Sequence, residues 1–215
     1  MSAVIFDCDG VLVDSEPAAN RILAEELTRI GVPTTVEESV RDYMGRSWGH
    51  MVEVVTGRLG EPPPASLAQA YRERLFAAYA AREVPAVPGI AAALDELDAR
   101  GVPYCVASSG DHERIRNGLE TAGLSDRFDD ARIFSADDVG RGKPSPDLFL
   151  HAAERMGFDP DRTTVVEDSP AGVQAGIAAG MAVLGYAART PAGLLSQAGA
   201  RVFLTMDALP TLIEA

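Results

Sequence analysis

The chain has 215 residues, of which 47% are hydrophobic and 24% charged, a composition typical of one soluble globular domain or of one domain with a modest insertion. No apolar run approaches the roughly 18 residues of a membrane span, and no basic and then apolar signal pattern opens the sequence, so we expect a cytoplasmic protein without a membrane partner. A formal net charge of −13 without a basic run argues against nucleic acid as a partner, and the two cysteines, Cys8 and Cys105, predict no disulfide framework.

The first predicted element is a short apolar strand over residues 4–6, which ends on two acids, Asp7 and Asp9. Gly10 then breaks the strand. Carboxylates at the end of a buried strand are costly unless a cation lies between them. An Asp can also act as a covalent nucleophile beside a second acid that moves protons. The acid pair alone also fits a solvated turn between a strand and a helix, where Asp and Gly are common.

Residues 16–84 predict consecutive helices instead of alternating elements. Apolar periodicity favours helices over residues 18–30, 36–43, 47–60 and 66–82. The second of these helices begins with a capping box of Thr35 and Glu38, and the only tryptophan, Trp48, is predicted to lie in the core of the insert. We therefore expect a helical cap domain of residues 16–84, inserted into a core domain that comprises residues 1–15 and 85–215.

From residue 85 onward, strand-like and amphipathic helical segments alternate, a pattern typical of a parallel sheet wrapped by helices. The strand candidates are residues 102–107, 132–134, 163–166, 182–184 and 201–204. Ser145-Pro146 and Ser169-Pro170 are each predicted to be an N-cap followed by proline at the first helical position. The predicted fold is therefore α/β, with a Rossmann-like parallel sheet whose ligands bind beyond the carboxyl ends of the strands.

Polar residues follow further strand candidates. Ser108 and Ser109 offer a hydroxyl and backbone N–H groups that suit a phosphate oxygen, although such a segment is more often a plain turn. Lys143 is the only lysine among 19 cationic residues, and it precedes a predicted helix. It could neutralise a carboxylate and a phosphate oxygen together, although a lone loop lysine often has no such role. Glu167 and Asp168 form a second acidic pair at a strand end.

Hard oxygen ligands for Mg²⁺ are available at two of these strand ends. Asp7, the main-chain carbonyl of Asp9 and Asp168 would supply three of them, with water and substrate completing an octahedron. Glu167 would be a further ligand or would hold a metal-bound water. The sequence therefore predicts Mg²⁺ as the cofactor.

The order of these motifs resembles the haloacid dehalogenase (HAD) superfamily, in which an Asp-x-Asp motif, a strand-end Ser or Thr, a Lys and an acidic pair follow one another. Residues 6–16, 143–147 and 167–173 are similar to the β-phosphoglucomutase-like branch, whose helical cap follows the first motif. The resemblance covers essentially the whole chain. It implies a HAD-like core with a cap, and a phosphatase that acts on a small phosphorylated metabolite, above all a sugar phosphate.

The resemblance also implies a role for each motif residue. Asp7 would attack phosphorus and form an aspartyl-phosphate, while Asp9 would protonate the leaving alcohol and then deprotonate the attacking water. Ser108, the amide of Ser109 and Lys143 would hold the transferring phosphoryl oxygens. Elementary chemistry agrees, because phosphoryl transfer depends mainly on in-line positioning and on compensation of negative charge.

Among the reactions of this family, the residues favour hydrolysis of a phosphate ester. A dehalogenase would not need Asp9 or the second acidic pair, and a phosphonatase would need a cap lysine, which residues 16–84 lack. A β-phosphoglucomutase-type phosphosugar mutase is the main alternative, although residues 17–20 lack the cap His of the mutase pattern. An inactive sugar-phosphate-binding protein is a lesser alternative, because all the core motif residues are present.

The cap offers one candidate for substrate contact, Arg46, which lies in the glycine-containing segment 45–49. The alternative interpretation is an ordinary surface arginine. The three histidines have no metal-ligand spacing and are assigned no role. Because many capped members of the family act as monomers, the resemblance also implies a monomer.

Overall fold

A computed structural model of the protein describes residues 2–44, 48–81 and 83–213. Within these ranges the chain forms one sheet of six parallel strands in the order β3-β2-β1-β4-β5-β6. The strands are β1 Ala3–Phe6, β2 Tyr104–Ser108, β3 Ile133–Ser135, β4 Thr163–Glu167, β5 Ala182–Tyr186 and β6 Arg201–Phe203. The predicted α/β fold with a parallel sheet is therefore confirmed.

The central strands are buried along most of their length, as expected for a parallel sheet covered by helices on its faces. All four residues of β1 and all five of β2 are buried. β1 lies between β2 and β4, and Phe6 is in register with Val106 and Val166. This register brings the carboxyl ends of the three strands to one edge of the sheet.

Six α-helices accompany the sheet in the described part of the chain after residue 84. They are α5 Ile90–Ala99, α6 His112–Thr121, α7 Asp147–Met156, α8 Pro170–Ala178, α9 Ala192–Ala198 and α10 Leu209–Leu212. Leu148, Phe149 and Val173 on α7 and α8 pack with Ile5 and Val165 of the sheet in one apolar core. The burial of these side chains holds the helices that begin beside the strand ends.

In its described residues, the earlier segment forms four α-helices: α1 Glu16–Arg29, α2 Val36–Tyr43, α3 Trp48–Leu59 and α4 Ser66–Ala80. They have an apolar core of their own, which includes Leu27, Met51 and Val55. The chain divides into two compact units, Met1–Asp14 with Pro85–Ala215, and Ser15–Val84. The sequence predicts the corresponding boundaries between residues 15 and 16 and between residues 84 and 85.

Two of the predicted helix caps are confirmed and one is wrong. The Thr35 side chain accepts from the Glu38 amide in a complete capping box, and Ser169 caps α8 with Pro170 at its first position. Ser145, by contrast, does not cap α7, because Pro146 occupies the N-cap position. The Ser145 hydroxyl instead donates to the Asp147 carboxylate.

The prediction that Trp48 lies in the core of the insert is also wrong. Trp48 is 40% exposed, and its ring lies at a tilt against Tyr71 with 5.5 Å between the centroids. The amphipathic pattern of α3 is instead satisfied by Met51 and Val55, which are its buried residues. Over the three described ranges, no helix is both long enough and apolar enough to span a bilayer.

Candidate active site at the carboxyl ends of the strands

Three neighbouring strands bring acids and a hydroxyl to one edge of the sheet. Asp7 follows β1 and donates its amide to the Val166 carbonyl at 2.9 Å, which extends the pairing of β1 with β4 by one residue. Ser108 ends β2, and Glu167 ends β4 with Asp168 directly after it. Parallel strands point the same way, so residues more than 150 positions apart in the sequence meet here.

Gly10 allows Asp168 to lie against the turn that follows β1. Its φ of +79° is in the left-handed region, which favours glycine. A Cβ atom at this position would be 2.0 Å from Oδ2 of Asp168. Gly10, which is predicted to break the strand, therefore also leaves space for Asp168, the acid that follows the neighbouring strand β4.

Lys143 joins the two acidic strand ends. Its Nζ donates to Oδ1 of Asp7 at 2.6 Å, to Oε1 of Glu167 at 2.7 Å and to the Ala107 carbonyl at 3.1 Å. The side chain is only 5% exposed, and Nζ is 4.8 Å from the centroid of the Phe149 ring. A buried ammonium that gives three hydrogen bonds is held in one position.

Burial sets the ionisation of this pair. Burial raises the pKa of Asp7 from its ordinary value of 3.8 to about 7, with Lys143 acting in the opposite direction and Glu167 adding to the rise. Burial alone would lower the pKa of Lys143, but the charges of Asp7 and Glu167 outweigh it and raise the pKa above the ordinary value. Lys143 is therefore a permanent cation among the acids.

Glu167 is fully buried, and both of its oxygens are hydrogen-bonded. Oε1 accepts from Lys143, and Oε2 accepts from the amide and hydroxyl of Ser169 at 2.8 and 2.9 Å. Gly172 of α8 lies directly over this carboxylate, since a Cβ there would be 1.7 Å from Oε1. The first turn of α8 thus holds Glu167, and through it Lys143.

The site includes a set of oxygens that could hold a metal ion. One carboxylate oxygen each from Asp7, Glu167 and Asp168 lies within 4.8 Å of the others, and Asp168 is the half-buried member. These hard donors fit Mg²⁺. Lys143 is ion-paired with two of these carboxylates, Asp7 and Glu167, so a divalent cation would compensate the negative charge that one ammonium group leaves.

Asp9 is turned toward a residue that the sequence did not single out. Nη2 of Arg114, on the first turn of α6, lies 2.9 Å from Oδ2 of Asp9. The two side chains are 28% and 23% exposed. Arg114 is one of many arginines and belongs to no motif, so only its place on the helix after Ser108 could have drawn attention to it.

The loop after β2 holds the predicted phosphate-binding serines. Ser108 is buried and its Oγ accepts from the Gly110 amide at 3.1 Å, whereas Ser109 is exposed. The Ser135 hydroxyl donates to the Gly110 carbonyl at 2.7 Å, which ties this loop to the end of β3. Arg46, the predicted substrate contact, lies outside the described residues.

The chain is similar to known proteins over most of its length. A family model described as haloacid dehalogenase-like hydrolase matches residues 1–180. A 6-phosphogluconate phosphatase of Escherichia coli K12 is 31% identical over an alignment of 219 positions, which covers 100% of this chain and 96% of that protein. Hexitol phosphatase A of the same organism is 33% identical over 185 residues, which cover 84% of this chain and 80% of the relative.

Solved structures are similar over nearly the whole chain. A haloacid dehalogenase-like protein of Agrobacterium tumefaciens matches with a TM-score of 0.89 and 38% identity, over 99% of this chain and 97% of the other. A structure described as a putative β-phosphoglucomutase, from Thermotoga maritima, matches with a TM-score of 0.77 and 26% identity, over 99% and 98% of the two chains.

Proposed function

The chain belongs to the haloacid dehalogenase-like hydrolases, and from this premise we propose that it is an Mg²⁺-dependent phosphatase that hydrolyses the phosphate ester of a sugar, a sugar acid or a sugar alcohol. Two relatives named for phosphatase activity toward 6-phosphogluconate and hexitol phosphates support this substrate class. We further propose the roles below for the residues of the site.

The observation that carries the proposal is the position of Lys143 between Asp7 and Glu167, with Asp168 beside them. An acidic protein that binds a phosphate ester must concentrate positive charge at one point. A buried ammonium beside a carboxylate at a strand end attracts phosphoryl oxygens by its charge while the carboxylate attacks phosphorus.

In the first step, an oxygen of Asp7 attacks phosphorus, and the bond between phosphorus and the ester oxygen breaks. Asp9 gives its proton to the leaving oxygen, which departs as the alcohol. The phosphoryl group is then bound to Asp7 as an acyl phosphate. Lys143 and Ser108 compensate the charge on the phosphoryl oxygens during the transfer, with the amide of Ser109 as a further donor.

In the second step, a water molecule attacks the phosphorus of the aspartyl-phosphate, and its proton returns to Asp9. The bond between phosphorus and Asp7 breaks, which releases inorganic phosphate and restores the carboxylate. Asp7, Asp168 and the Asp9 carbonyl would hold Mg²⁺, with Glu167 beside them. When bound, the ion neutralises phosphoryl charge and orients the group for in-line attack.

The test measures phosphate release from a panel of sugar, sugar-acid and sugar-alcohol phosphates, with Mg²⁺ and with EDTA. We expect metal-dependent release by the wild-type chain and a loss of roughly 10³-fold or more in Asp7→Asn, because the amide cannot form the acyl phosphate. Asp161→Asn is the matched control, since Asp161 is exposed and precedes β4 at the opposite end of that strand.

A parallel assay separates hydrolysis from the mutase alternative. Glucose 1-phosphate with a trace of the 1,6-bisphosphate is incubated with the protein and assayed for glucose 6-phosphate. Isomerised product without free phosphate would replace the phosphatase proposal with the mutase. If the folded protein with Mg²⁺ forms neither free phosphate nor isomerised product from any member of the panel, the result would favour the sugar-phosphate-binding protein instead.

A further inference from the structure

Arg114 and Asp9 form an ion pair that belongs to none of the motifs described above. The two residues are far apart in the sequence, and the pair exists because α6 begins beside the turn that follows β1. The two side chains are 28% and 23% exposed, so the pair is half-buried, unlike exposed surface pairs, which contribute little. A half-buried guanidinium on one oxygen of Asp9 restricts the position of that carboxylate.

The helix that carries Arg114 is built to hold it. The Asp111 side chain caps α6 by accepting a hydrogen bond from the Arg114 amide at 2.8 Å. Gly110 leaves space for the aliphatic part of the side chain, because a Cβ at that position would be only 3.1 Å from Cδ of Arg114. The residue is thus fixed both at its backbone and along its stem.

We propose that Arg114 is a positioning residue that holds the carboxylate of Asp9 in the orientation from which it transfers protons. The inference rests on the proposed function, since it gives Asp9 that role. Proton transfer needs heavy atoms within hydrogen-bonding distance, and a displacement of about 1 Å at such a group can lower the rate about 100-fold. An Asp side chain that follows a strand in a turn has several rotamers, and a guanidinium on one of its oxygens selects among them.

The experiment is a double-mutant cycle with Arg114→Met, Asp9→Asn and the combined variant. Each is assayed with Mg²⁺ and the sugar phosphate that the wild-type chain hydrolyses fastest. We expect Arg114→Met to lower kcat about 10- to 100-fold with KM changed less than about 3-fold. In the Asp9→Asn background, the same substitution should lower kcat less than about 2-fold, because residues that act through one another are not additive.

Two controls accompany the cycle. Arg116→Met removes an arginine from the same helix whose partner, Asp130, is 78% exposed, and it should leave kcat and KM unchanged. Arg114→Lys keeps the charge and should restore part of the lost kcat. If Arg114→Met does not fold, as judged by thermal melting, Arg114→Gln takes its place because it keeps most of the stem.

Three results would overturn the inference. A raised KM with unchanged kcat, equal in both backgrounds, would assign Arg114 to substrate binding. A kcat equal to that of the wild type would make the pair a surface contact without a role. Wild-type protein that releases no phosphate from the panel would overturn the proposed function and this inference with it, whereas an active wild type with an unaffected Arg114→Met overturns the inference alone.

Discussion

The role of Lys143 is partly predictable from the sequence and partly determined by its neighbours in the folded protein. As the single lysine, it was the only candidate for any role that needs an ammonium group. The sequence predicted that it would compensate a carboxylate and a phosphate oxygen. The structure adds that it already bridges two carboxylates, Asp7 and Glu167, from different strands. Its removal would leave both buried acids without their cation.

The raised pKa of Asp7 predicts an unusual dependence of stability on pH for the metal-free protein. The folded pKa of about 7 lies above the ordinary value of 3.8, so between these values the folded state binds more protons than the unfolded state. The contribution of Asp7 to the free energy of unfolding is therefore lost as pH rises from about 4 through about 7. Residue 7 does not titrate in Asp7→Asn. The free energy of unfolding of this variant should therefore rise relative to that of the wild type by about 1–4 kcal/mol as pH increases across this window.

Urea unfolding in EDTA at about pH 5 and about pH 8 measures this difference. Mg²⁺ should stabilise the wild type more at the higher pH, because a metal competes with protons for carboxylates. A stability difference between Asp7→Asn and the wild type that stays constant with pH would contradict the raised pKa.

At the scale of the element, α8 and β4 form a single functional unit. Ser169 caps the helix and also donates two hydrogen bonds to Glu167 of the strand. The Ser-Pro pair predicted the start of this helix from local chemistry alone. The close approach of the helix to Glu167 could not be predicted, because it depends on the absence of a side chain at Gly172 and on how the helix packs on the sheet.

Gly172→Ala should therefore damage the site from within α8. The new Cβ would be 1.7 Å from Oε1 and 1.9 Å from Cδ of Glu167, so the carboxylate must move and release Lys143 or Ser169. We expect a loss of about 2 kcal/mol or more in the free energy of unfolding, together with lower phosphate release.

Gly193→Ala in α9 is the matched control for this change. Apart from its chain neighbours and the backbone of its own helix, no atom lies within 4 Å of the Cβ that alanine would add at this position. Alanine is favoured over glycine in a helix by about 0.5–1 kcal/mol, so this variant should be at least as stable as the wild type. Equal stability of the two glycine variants in urea unfolding would contradict the close approach of α8 to Glu167.

At the scale of the whole molecule, the two compact units have separate apolar cores. Leu27 belongs to the core of Ser15–Val84, and Leu148 belongs to the core around the sheet. Both side chains are fully buried, so truncation to alanine should remove similar contact area and leave a cavity in each case.

Leu27→Ala should cost about 2–5 kcal/mol and should raise amide hydrogen exchange mainly within Ser15–Val84. Leu148→Ala, the matched substitution, should instead raise exchange in β1, β2 and β4. Mass-spectrometric hydrogen exchange on both variants resolves the two segments. A uniform increase over the whole chain in either variant would mean that the units open together and not as separate cooperative units.

The sequence by itself determined the element types, the parallel sheet, the family and the strand ends that carry acids, a hydroxyl and the lysine. These features follow from short-range patterns: apolar periodicity, turn and cap residues, and motifs that each occupy a few consecutive positions. Even there, competition between neighbours altered details, as at Ser145, whose hydroxyl bonds to Asp147 while Pro146 takes the N-cap position.

Only the tertiary structure decided which groups touch across the sheet edge. The contact of Arg114 with Asp9, the bridge made by Lys143 and the approach of Gly172 to Glu167 join residues from different elements. No local pattern encodes such contacts, because each depends on strand order, on register and on the packing of a helix against its sheet. The motifs thus named the chemistry, and the folded arrangement of the strands and helices set the distances on which that chemistry depends.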